Sequence, residues 1–428
     1  MTLARLAARI LQNSAIAAVS TLAVGVLTAR WLGAEGRGYY TLFFTTVGLL
    51  GTIGQSGFYQ AAVYHIGRHA MAPAVALGNA VLLIGASGFA LFGLYGLTVF
   101  FAPGILGTPL GSVIGVPLIL GVLFQIVRES LGGIAMGMRK YNAYSEQLAI
   151  EPVFALIATM PLVFFLLDAE AAIELRVASA FFALLVLVWR VRGLLPERPI
   201  FRLRALLDEI AFGSKSTAQN VIGLMNYRVY VYFLALDPAA VGLFSVGMLF
   251  NELIRFLPNT LGMALLPILT GTKIEEAARL TAKACRVVLA ATAILVTLLS
   301  ALREPIVENV FGREFLPVTD ILVPMLAGAV IGIVYQILTR YFSSVGLQMY
   351  SVQAGFAGLA VALAGSAILV PAFGLTGAAV AYLLSSVCTT LVMLTAFLRR
   401  SGLPARDVLF VTRSDIRQLA QRIPHIRR

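Results

Sequence analysis

The chain has 428 residues, of which 59% are hydrophobic and only 12% are charged, and its formal net charge is +12. A soluble domain carries roughly 25% charged residues to keep its surface hydrated, so this composition excludes a soluble globular protein and indicates that lipid covers most of the exterior. The two cysteines, Cys285 and Cys388, lie in apolar stretches and provide no disulfide framework. His65 and His69 are four residues apart, but no third ligand accompanies them, so we expect neither a metal site nor a cofactor.

Apolar segments separated by polar turns predict about twelve transmembrane helices, since a helix needs about 20 residues to cross the hydrocarbon core. The turns contain glycine, proline or charged residues, as at 33–38 and 237–238. The first segment follows Arg5 and Arg9 but is too long for the core of a signal peptide, and further spans follow it, so it is predicted to be the first helix. The predicted spans are residues 10–32, 39–64, 74–102, 112–136, 143–167, 171–189, 210–236, 239–266, 283–302, 317–342, 349–371 and 374–397.

The basic residues are distributed asymmetrically between the turns. With the N-terminus in the cytoplasm, we assign Arg30 and Arg176 to outer segments and Lys283 and Arg286 to a cytoplasmic one, because they lie toward the ends of their predicted spans. On this assignment 22 of the 32 Lys and Arg lie in cytoplasmic segments, five lie in outer segments and five lie within the spans. This bias follows the positive-inside rule and predicts a multi-pass protein of the inner (plasma) membrane with both termini in the cytoplasm. The excess of positive charge is therefore assigned to topology and to attraction for anionic lipid headgroups, and no nucleic acid is expected as a partner.

Two loop sequences recur in the two halves of the chain. Residues 31–41 resemble residues 235–245, and residues 137–142 resemble residues 346–351, at nearly equal offsets of 204 and 209 residues. Both matches fall on equivalent hairpins, so they favour a duplication of six spans. Because six is even, both halves enter the membrane from the same side, and the repeat axis runs parallel to the membrane normal.

The predicted fold class is therefore an all-α integral membrane protein with about 12 transmembrane helices, arranged as two six-helix lobes related by pseudo-twofold symmetry around a central cavity. The N-terminal lobe is predicted to cover residues 1–200, with a cytoplasmic linker from residue 190. The C-terminal lobe covers residues 201–400, and residues 401–428 form a basic cytoplasmic tail.

Charged and amide side chains inside the eighth span are the strongest candidates for a binding site. Asn251, Arg255 and Asn259 are spaced four residues apart and share one helix face, and Glu252 is placed to pair with Arg255. An arginine at the centre of a membrane helix costs about 2.5–3.5 kcal/mol, so it is expected to face a hydrated interior or a partner. We therefore predict that Arg255 binds an anionic substrate and that Glu252 is a candidate for ion coupling.

Further polar residues in other spans extend the predicted cavity. Lys215 and Arg340 lie near span ends, where the alternative is that they extend to the interface, and Arg228 could equally anchor the outer interface beside Tyr227. Arg128 could form a structural pair with Glu129, which is the second coupling candidate. The remaining candidates are amides, which more often join helices than bind ligands. The additional predicted site residues are Arg128, Glu129, Lys215, Gln219, Arg228, Arg340 and Gln55.

Glycines recur at every third position of the second span, at Gly48, Gly51, Gly54 and Gly57. By the repeat offset, Gly48 and Gly51 correspond to Glu252 and Arg255, so one half supplies charge where the other supplies free volume. That arrangement would suit a large anionic ligand, and the alternative is close packing of a neighbouring helix on the glycines.

Several of these motifs resemble those of a known family. The loop at 29–39, the glycine-rich second span, residues 137–141 and residues 371–379 resemble the bacterial polysaccharide flippases of the Wzx type, which serve O-antigen, capsule or exopolysaccharide synthesis and belong to the multidrug/oligosaccharidyl-lipid/polysaccharide exporter superfamily. The resemblance implies a two-lobed transporter that moves an undecaprenyl-pyrophosphate-linked oligosaccharide across the membrane by alternating access. It implies the lipid-linked oligosaccharide as the main partner, with polysaccharide polymerase and chain-length proteins as further partners.

Two alternatives are less favoured by the sequence. A multidrug exporter of the same superfamily usually carries an acid in its first span, and residues 10–32 contain none. A membrane-embedded polymerase or ligase would need a large outer loop with catalytic residues, whereas the longest outer segment, 303–316, is short and lacks histidine. We therefore predict no catalytic residues and a transporter rather than an enzyme.

Overall fold

The computed structural model describes residues 3–101, 115–165, 168–193, 198–270 and 272–411. These ranges are almost entirely helical and contain no β-strand. The helices are α1 (Leu3–Gln55), α2 (Phe58–Gly67), α3 (Pro73–Phe101), α4 (Val116–Gly137), α5 (Tyr141–Phe165), α6 (Ala169–Val191), α7 (Leu203–Phe233), α8 (Pro238–Thr270), α9 (Ile274–Ala301), α10 (Arg303–Val310), α11 (Val318–Ser344), α12 (Met349–Ser401) and α13 (Ala405–Leu409), with a 3₁₀ turn at Arg313–Phe315.

In the described ranges, nine helices are long and apolar enough to cross a membrane. Two of them, α1 and α12, have 53 residues each, and a helix of that length extends about 80 Å, well beyond the ~30 Å hydrocarbon core. Both are interrupted by a glycine with positive φ, Gly33 at 67° and Gly374 at 53°. The two parts of α12 therefore provide the last two predicted spans. The two parts of α1 provide the first and most of the second, which breaks at Ser56 and Gly57 and continues as α2. The more polar α7 coincides with the seventh span. The all-helical membrane fold class is confirmed.

The break in α1 is stabilised by a carboxylate from a distant part of the chain. The backbone N–H of Ala34 donates to Oε1 of Glu314 at 2.7 Å. A carboxylate at this position satisfies an unpaired N–H of the helix that restarts after Gly33 and interacts favourably with its dipole. A Cβ on Gly33 would lie 3.1 Å from the same carboxylate, so a larger residue would crowd the cap as well as strain the backbone.

The chain divides into two compact units. Unit 1 comprises Met1–Val246 with Val310–Glu314, and unit 2 comprises Gly247–Asn309 with Phe315–Arg428. The boundary falls inside α8 because α7 packs on α1, α2 and α3 of unit 1. The lobe bounds predicted from the sequence, 1–200 and 201–400, stay predictions.

Within unit 1, the two hairpins of the predicted repeat pack directly on each other. A Cβ on Gly38 would lie 1.8 Å from the carbonyl oxygen of Pro238, and a Cβ on Gly242 would lie 1.8 Å from the carbonyl oxygen of Ala34. The offset of 204 residues relates Gly38 to Gly242 and Ala34 to Pro238, so the contact is reciprocal, as a twofold relation requires. Beside it, Nε of Arg37 donates to Oγ of Ser245 at 3.1 Å. The repeat detected in the sequence therefore corresponds to a symmetric backbone contact.

The second repeated loop also has the same backbone in both halves. Arg139 after α4 and Gly346 after α11 both have positive φ. In each case the following N–H bonds to the carbonyl five residues earlier, from Lys140 to Ala135 and from Leu347 to Phe342, both at 2.8 Å. This is the Schellman cap, which satisfies carbonyls left unpaired at a helix end. The structural offset between the two caps is 207 residues, two fewer than the sequence match indicates.

The reciprocal hairpin contact predicts that Gly38→Ala and Gly242→Ala are each strongly destabilising. A new methyl group would overlap a carbonyl oxygen, so the backbones of the two hairpins must separate. Gly48→Ala, in the same helix as Gly38, is the matched control, because nothing lies within 4 Å of its Cβ position. A Gly→Ala change in a helix is expected to be neutral or to stabilise by up to about 1 kcal/mol where the new methyl group meets open space.

The measurement is thermal unfolding of the purified proteins in detergent. Both hairpin variants should unfold at lower temperature than the wild type, and Gly48→Ala should not. Equal transition temperatures for Gly38→Ala and Gly48→Ala would contradict the close backbone contact.

Candidate functional site

Unit 1 contains a cavity of about 130 Å³ between the second half of α1 and helices α4, α5 and α6. Most of its wall is apolar, including Phe44, Val47 and Phe124. The polar part of the wall consists of Gln125, Arg128, Gln147, Glu151 and Arg176. A hydrophobic cavity with a few convergent polar groups is the usual form of a small-molecule or ion site.

Two arginines and two glutamates form a linked ion-pair cluster at this cavity. Arg128 of α4 bonds to Glu129 at 2.8 Å and to Oε2 of Glu151 at 2.7 Å. Arg176 of α6 pairs with the other oxygen of Glu151, and its guanidinium lies 5.3 Å from the ring centroid of Phe44. Glu151 therefore joins the two guanidinium groups, and the charges of the four side chains cancel. A paired arrangement of this kind is what permits ionised side chains inside a membrane helix.

Helix geometry positions the cluster. Gln147 lies one turn before Glu151 on α5, and its Nε2 donates to the carbonyl oxygen of Arg128 at 2.8 Å, which fixes α5 against α4. Pro152 directly follows Glu151 inside α5, and since proline has no N–H, the carbonyl of Leu148 loses its helical donor there. The α6 helix that carries Arg176 begins at Asp168, whose side chain accepts a bond from the N–H of Ala171 at 2.9 Å.

The glycines of the second span pack against neighbouring helices of unit 1. A Cβ on Gly51 would lie 2.6 Å from the side chain of Gln125, and one on Gly54 would lie 2.7 Å from Ile126. Gly57 has positive φ, and a Cβ there would lie 2.2 Å from the carbonyl oxygen of Gly213. The alternative of close helix packing therefore holds at Gly51, Gly54 and Gly57. Of the four glycines, only Gly48 has open space around it.

The structure distributes the predicted site residues over both units. In unit 1, Arg128 and Glu129 belong to the ion-pair cluster. Gln55 is buried, and among the described residues its Nε2 has no hydrogen-bond partner. Along α7, Lys215 is exposed, Gln219 is half-buried, and Arg228 is half-buried with its guanidinium 5.1 Å from the ring of Tyr227.

The other predicted residues belong to unit 2. Asn251 of α8 is fully buried, and neither atom of its amide has a hydrogen-bond partner within the described ranges. Arg255 is half-buried and interacts electrostatically with Tyr335 and Tyr382. Arg340 packs on Gly262, whose Cβ position lies 3.0 Å from its Nε. Glu252 and Asn259 are half-buried on α8. The roles assigned to all of these residues stay predictions.

Sequence reasoning missed Arg176 and the central position of Glu151. Arg176 was counted with the outer-segment charges, whereas the structure places it in α6 with its side chain only 15% exposed. Glu151 lies in the predicted span 143–167 but is assigned to no site from the sequence alone. A signal was present: Gln147 and Glu151 are four residues apart on one face of the predicted span 143–167.

A bundle of long apolar helices that carries paired charges and a cavity defines a multi-pass membrane protein. The sequence matches the family described as "Polysaccharide biosynthesis protein" over residues 27–320, and the chain belongs to that family. The resemblance drawn from the sequence motifs is thereby confirmed at the family level. A search of curated proteins finds no match.

Solved structures of transporters share the fold. A lipid II flippase, MurJ, in an inward closed conformation has a TM-score of 0.76 at 13% identity, over 93% of this chain and 88% of that chain. An inward-facing multidrug resistance MATE family transporter of the MOP superfamily has a TM-score of 0.67 at 13% identity, over 92% and 98%. A MATE transporter from Vibrio cholerae has a TM-score of 0.62 at 13% identity, over 93% and 97%. The chain therefore has the fold of the MOP superfamily.

The ion-pair cluster predicts that Glu151→Gln destabilises the protein, because both guanidinium groups lose the carboxylate that joins them. Breaking a fully buried pair costs about 3–5 kcal/mol. These side chains retain 15–28% exposure, so we expect about 1–3 kcal/mol. Adding Arg176→Gln should recover part of the loss, because it restores the charge balance.

Glu146→Gln is the matched control on the same helix. Its pair with Arg190 is more exposed, at 36% and 49%, and such surface pairs contribute about 0–1 kcal/mol. Thermal unfolding in detergent measures all three variants. If Glu151→Gln lowers the transition temperature no more than Glu146→Gln does, Glu151 does not hold the cluster together.

Proposed function

We propose that this protein flips an undecaprenyl-pyrophosphate-linked oligosaccharide repeat unit from the cytoplasmic to the periplasmic leaflet by alternating access, for surface polysaccharide biosynthesis. The observation that carries the proposal is the match of residues 27–320 to the polysaccharide biosynthesis family. The fold adds support, because it is shared with a protein named as a lipid II flippase. A pyrophosphate headgroup requires cationic groups, and the predicted residues Arg255 and Arg228 are the candidates, since Arg128 is paired with Glu129 and Glu151.

The proposed location is the inner membrane with both termini in the cytoplasm. It is supported by the asymmetric distribution of Lys and Arg along the sequence. The proposed partners are the lipid-linked oligosaccharide, anionic lipid headgroups and, within the same pathway, polysaccharide polymerase and chain-length proteins.

The second candidate function is export of organic cations, as the MATE neighbours share the fold. Two observations favour the lipid-linked cargo. The matched family is described by polysaccharide biosynthesis, and residues 10–32 contain no acid. A polymerase or ligase is disfavoured, since the structural neighbours are transporters and flippases.

Reconstitution into liposomes tests the proposed function. Purified protein is incorporated with a fluorescent undecaprenyl-pyrophosphate oligosaccharide, and a membrane-impermeant quencher reports the fraction in the outer leaflet. With the protein, quenching should progress to nearly all of the label, because flipping renews the outer leaflet. Protein-free liposomes should stop at about half, the share of one leaflet. No difference between the two, together with uptake of an organic cation by the protein-containing liposomes, would support the exporter instead.

Among the residues predicted to bind an anion, Arg255 allows the most decisive test. It is half-buried near the tyrosine hydroxyls of unit 2 and shares a helix face with Asn251 and Asn259. A guanidinium can hold a phosphate through two parallel bonds, whereas an ammonium binds as a point charge. Arg255→Ala should therefore reduce flipping by about 10- to 100-fold, the value of a hydrogen bond to a charged group. Arg255→Lys should retain part of the activity.

The double variant Glu252→Gln with Arg255→Gln separates binding from charge balance. If Arg255 only neutralises Glu252, the double variant leaves no unpaired charge and should flip the cargo at the wild-type rate. If Arg255 binds the cargo, the double variant should be as defective as Arg255→Ala. Protein abundance in the liposomes is measured for each variant, so that loss of folding is not mistaken for loss of transport.

A further inference from the structure

A buried carboxyl group outside the cavity has only one hydrogen-bond partner. Glu209 of α7 is 2% exposed and Asn79 of α3 is fully buried. Nδ2 of Asn79 donates to Oε2 of Glu209 at 2.6 Å. The remaining oxygen of each side chain, Oε1 of Glu209 and Oδ1 of Asn79, is buried and has no hydrogen-bond partner among the described residues.

The chemistry of these two oxygens indicates that the carboxyl group of Glu209 is protonated. An ionised carboxylate and an amide oxygen can only accept hydrogen bonds, so neither can satisfy the other. A protonated carboxyl has one O–H donor, and a single proton on Glu209 gives the pair the donor that it lacks. Leaving a buried acceptor unsatisfied costs about 1–3 kcal/mol, and burying an unpaired carboxylate costs far more. The neutral acid therefore fits this environment and the carboxylate does not.

The charged and titratable groups on the packed elements do not neutralise Glu209. On α3, the only titratable side chain is Tyr95. On α2, His65 packs on Phe212 with ring centroids 5.1 Å apart, and Arg68, directly after α2, lies over Tyr64. No ion pair to Glu209 exists within the described part of the chain. Exposed charges lie on three neighbouring elements: Arg204, Asp208 and Lys215 on α7, Arg198 and Arg202 on the segment before it, and Arg9, Arg30 and Glu35 on α1. Arg37 of α1 is buried.

Close backbone contacts enclose the pair on two sides. The N–H of Ile200 donates to the carbonyl of Ala74 at 2.9 Å, and a Cβ on Gly78 would lie 2.3 Å from the carbonyl oxygen of Ile200. Residues 198–202 therefore cross α3 beside Asn79. One turn beyond Glu209, a Cβ on Gly213 would lie 2.6 Å from the carbonyl oxygen of Gly57. Glu209 is 2% exposed and Asn79 is fully buried, so among the described residues water reaches the carboxyl when α3 and α7 separate or when the 198–202 segment moves.

We propose that Glu209 and Asn79 form a proton-binding site at which the transporter takes up and releases one proton during its cycle. In the conformation described here the proton resides on Glu209, next to Oδ1 of Asn79. When α3 and α7 separate, water replaces the amide and the proton passes to it, leaving the carboxylate. The transport cycle invoked here rests on the proposed flippase function, whereas the bound proton does not.

Infrared spectroscopy of the purified full-length protein tests the bound proton directly. The carbonyl stretch of a protonated carboxyl group should be present in the wild type at neutral pH and absent in Glu209→Gln. Asp208→Asn, at the adjacent exposed position, is the matched control and should retain the band. Asn79→Leu should retain a protonated carboxyl but shift the band to higher frequency, because the amide hydrogen bond is lost. Identical spectra for the wild type and Glu209→Gln would overturn the proposal.

The liposome assay tests whether the proton is exchanged during the cycle. The flipping rate of the wild type should change at least about tenfold over the range in which the infrared band titrates, corresponding to about 1.4 kcal/mol. In Glu209→Gln that pH dependence should be lost, and in Asp208→Asn it should be kept. Unchanged pH dependence in Glu209→Gln would overturn the proposal, because the acid would then be a static part of the fold. If the wild type moves no lipid-linked oligosaccharide, the proposed function fails, and the infrared result still decides whether Glu209 binds a proton.

Discussion

Lipid cannot solvate an ion, so a charge inside a membrane helix must either be paired within the protein or reach water. In unit 1 the balance is provided by Glu151, which joins Arg128 to Arg176 across three helices. The packing of α4, α5 and α6 depends on that balance, because the helices cannot move apart without exposing one of the charges. Gln147 adds a neutral bond between the same helices. Charge pairing thus determines both the architecture of this region and the polarity of the cavity that it encloses.

Glycine provides the second means of joining these helices. Apolar side chains give little drive for association in lipid, since lipid chains are equally apolar, and close approach of backbones takes their place. Gly38 and Gly242 bring two hairpins into backbone contact, and Gly57 and Gly213 do the same for α2 and α7. The acid–amide pair of Glu209 and Asn79 lies near the second of these contacts. A buried ionisable group is therefore located beside a close backbone contact.

Much of the fold could be predicted because hydrophobicity and turn residues act locally. The predicted spans correspond to helices, and the loop repeat corresponds to the reciprocal contact of Gly38 and Gly242. The candidate site was harder to predict from the sequence, because its ion pairs join helices that are distant in sequence. From the sequence alone Arg176 is assigned to an outer segment, and its pair with Glu151 becomes evident from the packing of α6 on α5. Likewise, Glu209 precedes the predicted seventh span, and nothing in the sequence places Asn79 beside it.

The reciprocal hairpin contact has an evolutionary corollary. If the two halves arose by duplication, the contact at Gly38 and Gly242 was originally made between two identical subunits, with the same glycine on both sides of the axis. In such an ancestor, one substitution would have altered both contacts at once. After fusion into one chain, each glycine can be replaced separately, and a single change removes half of the symmetric interface. Duplication thus released the two hairpins to diverge while the contact between them was kept.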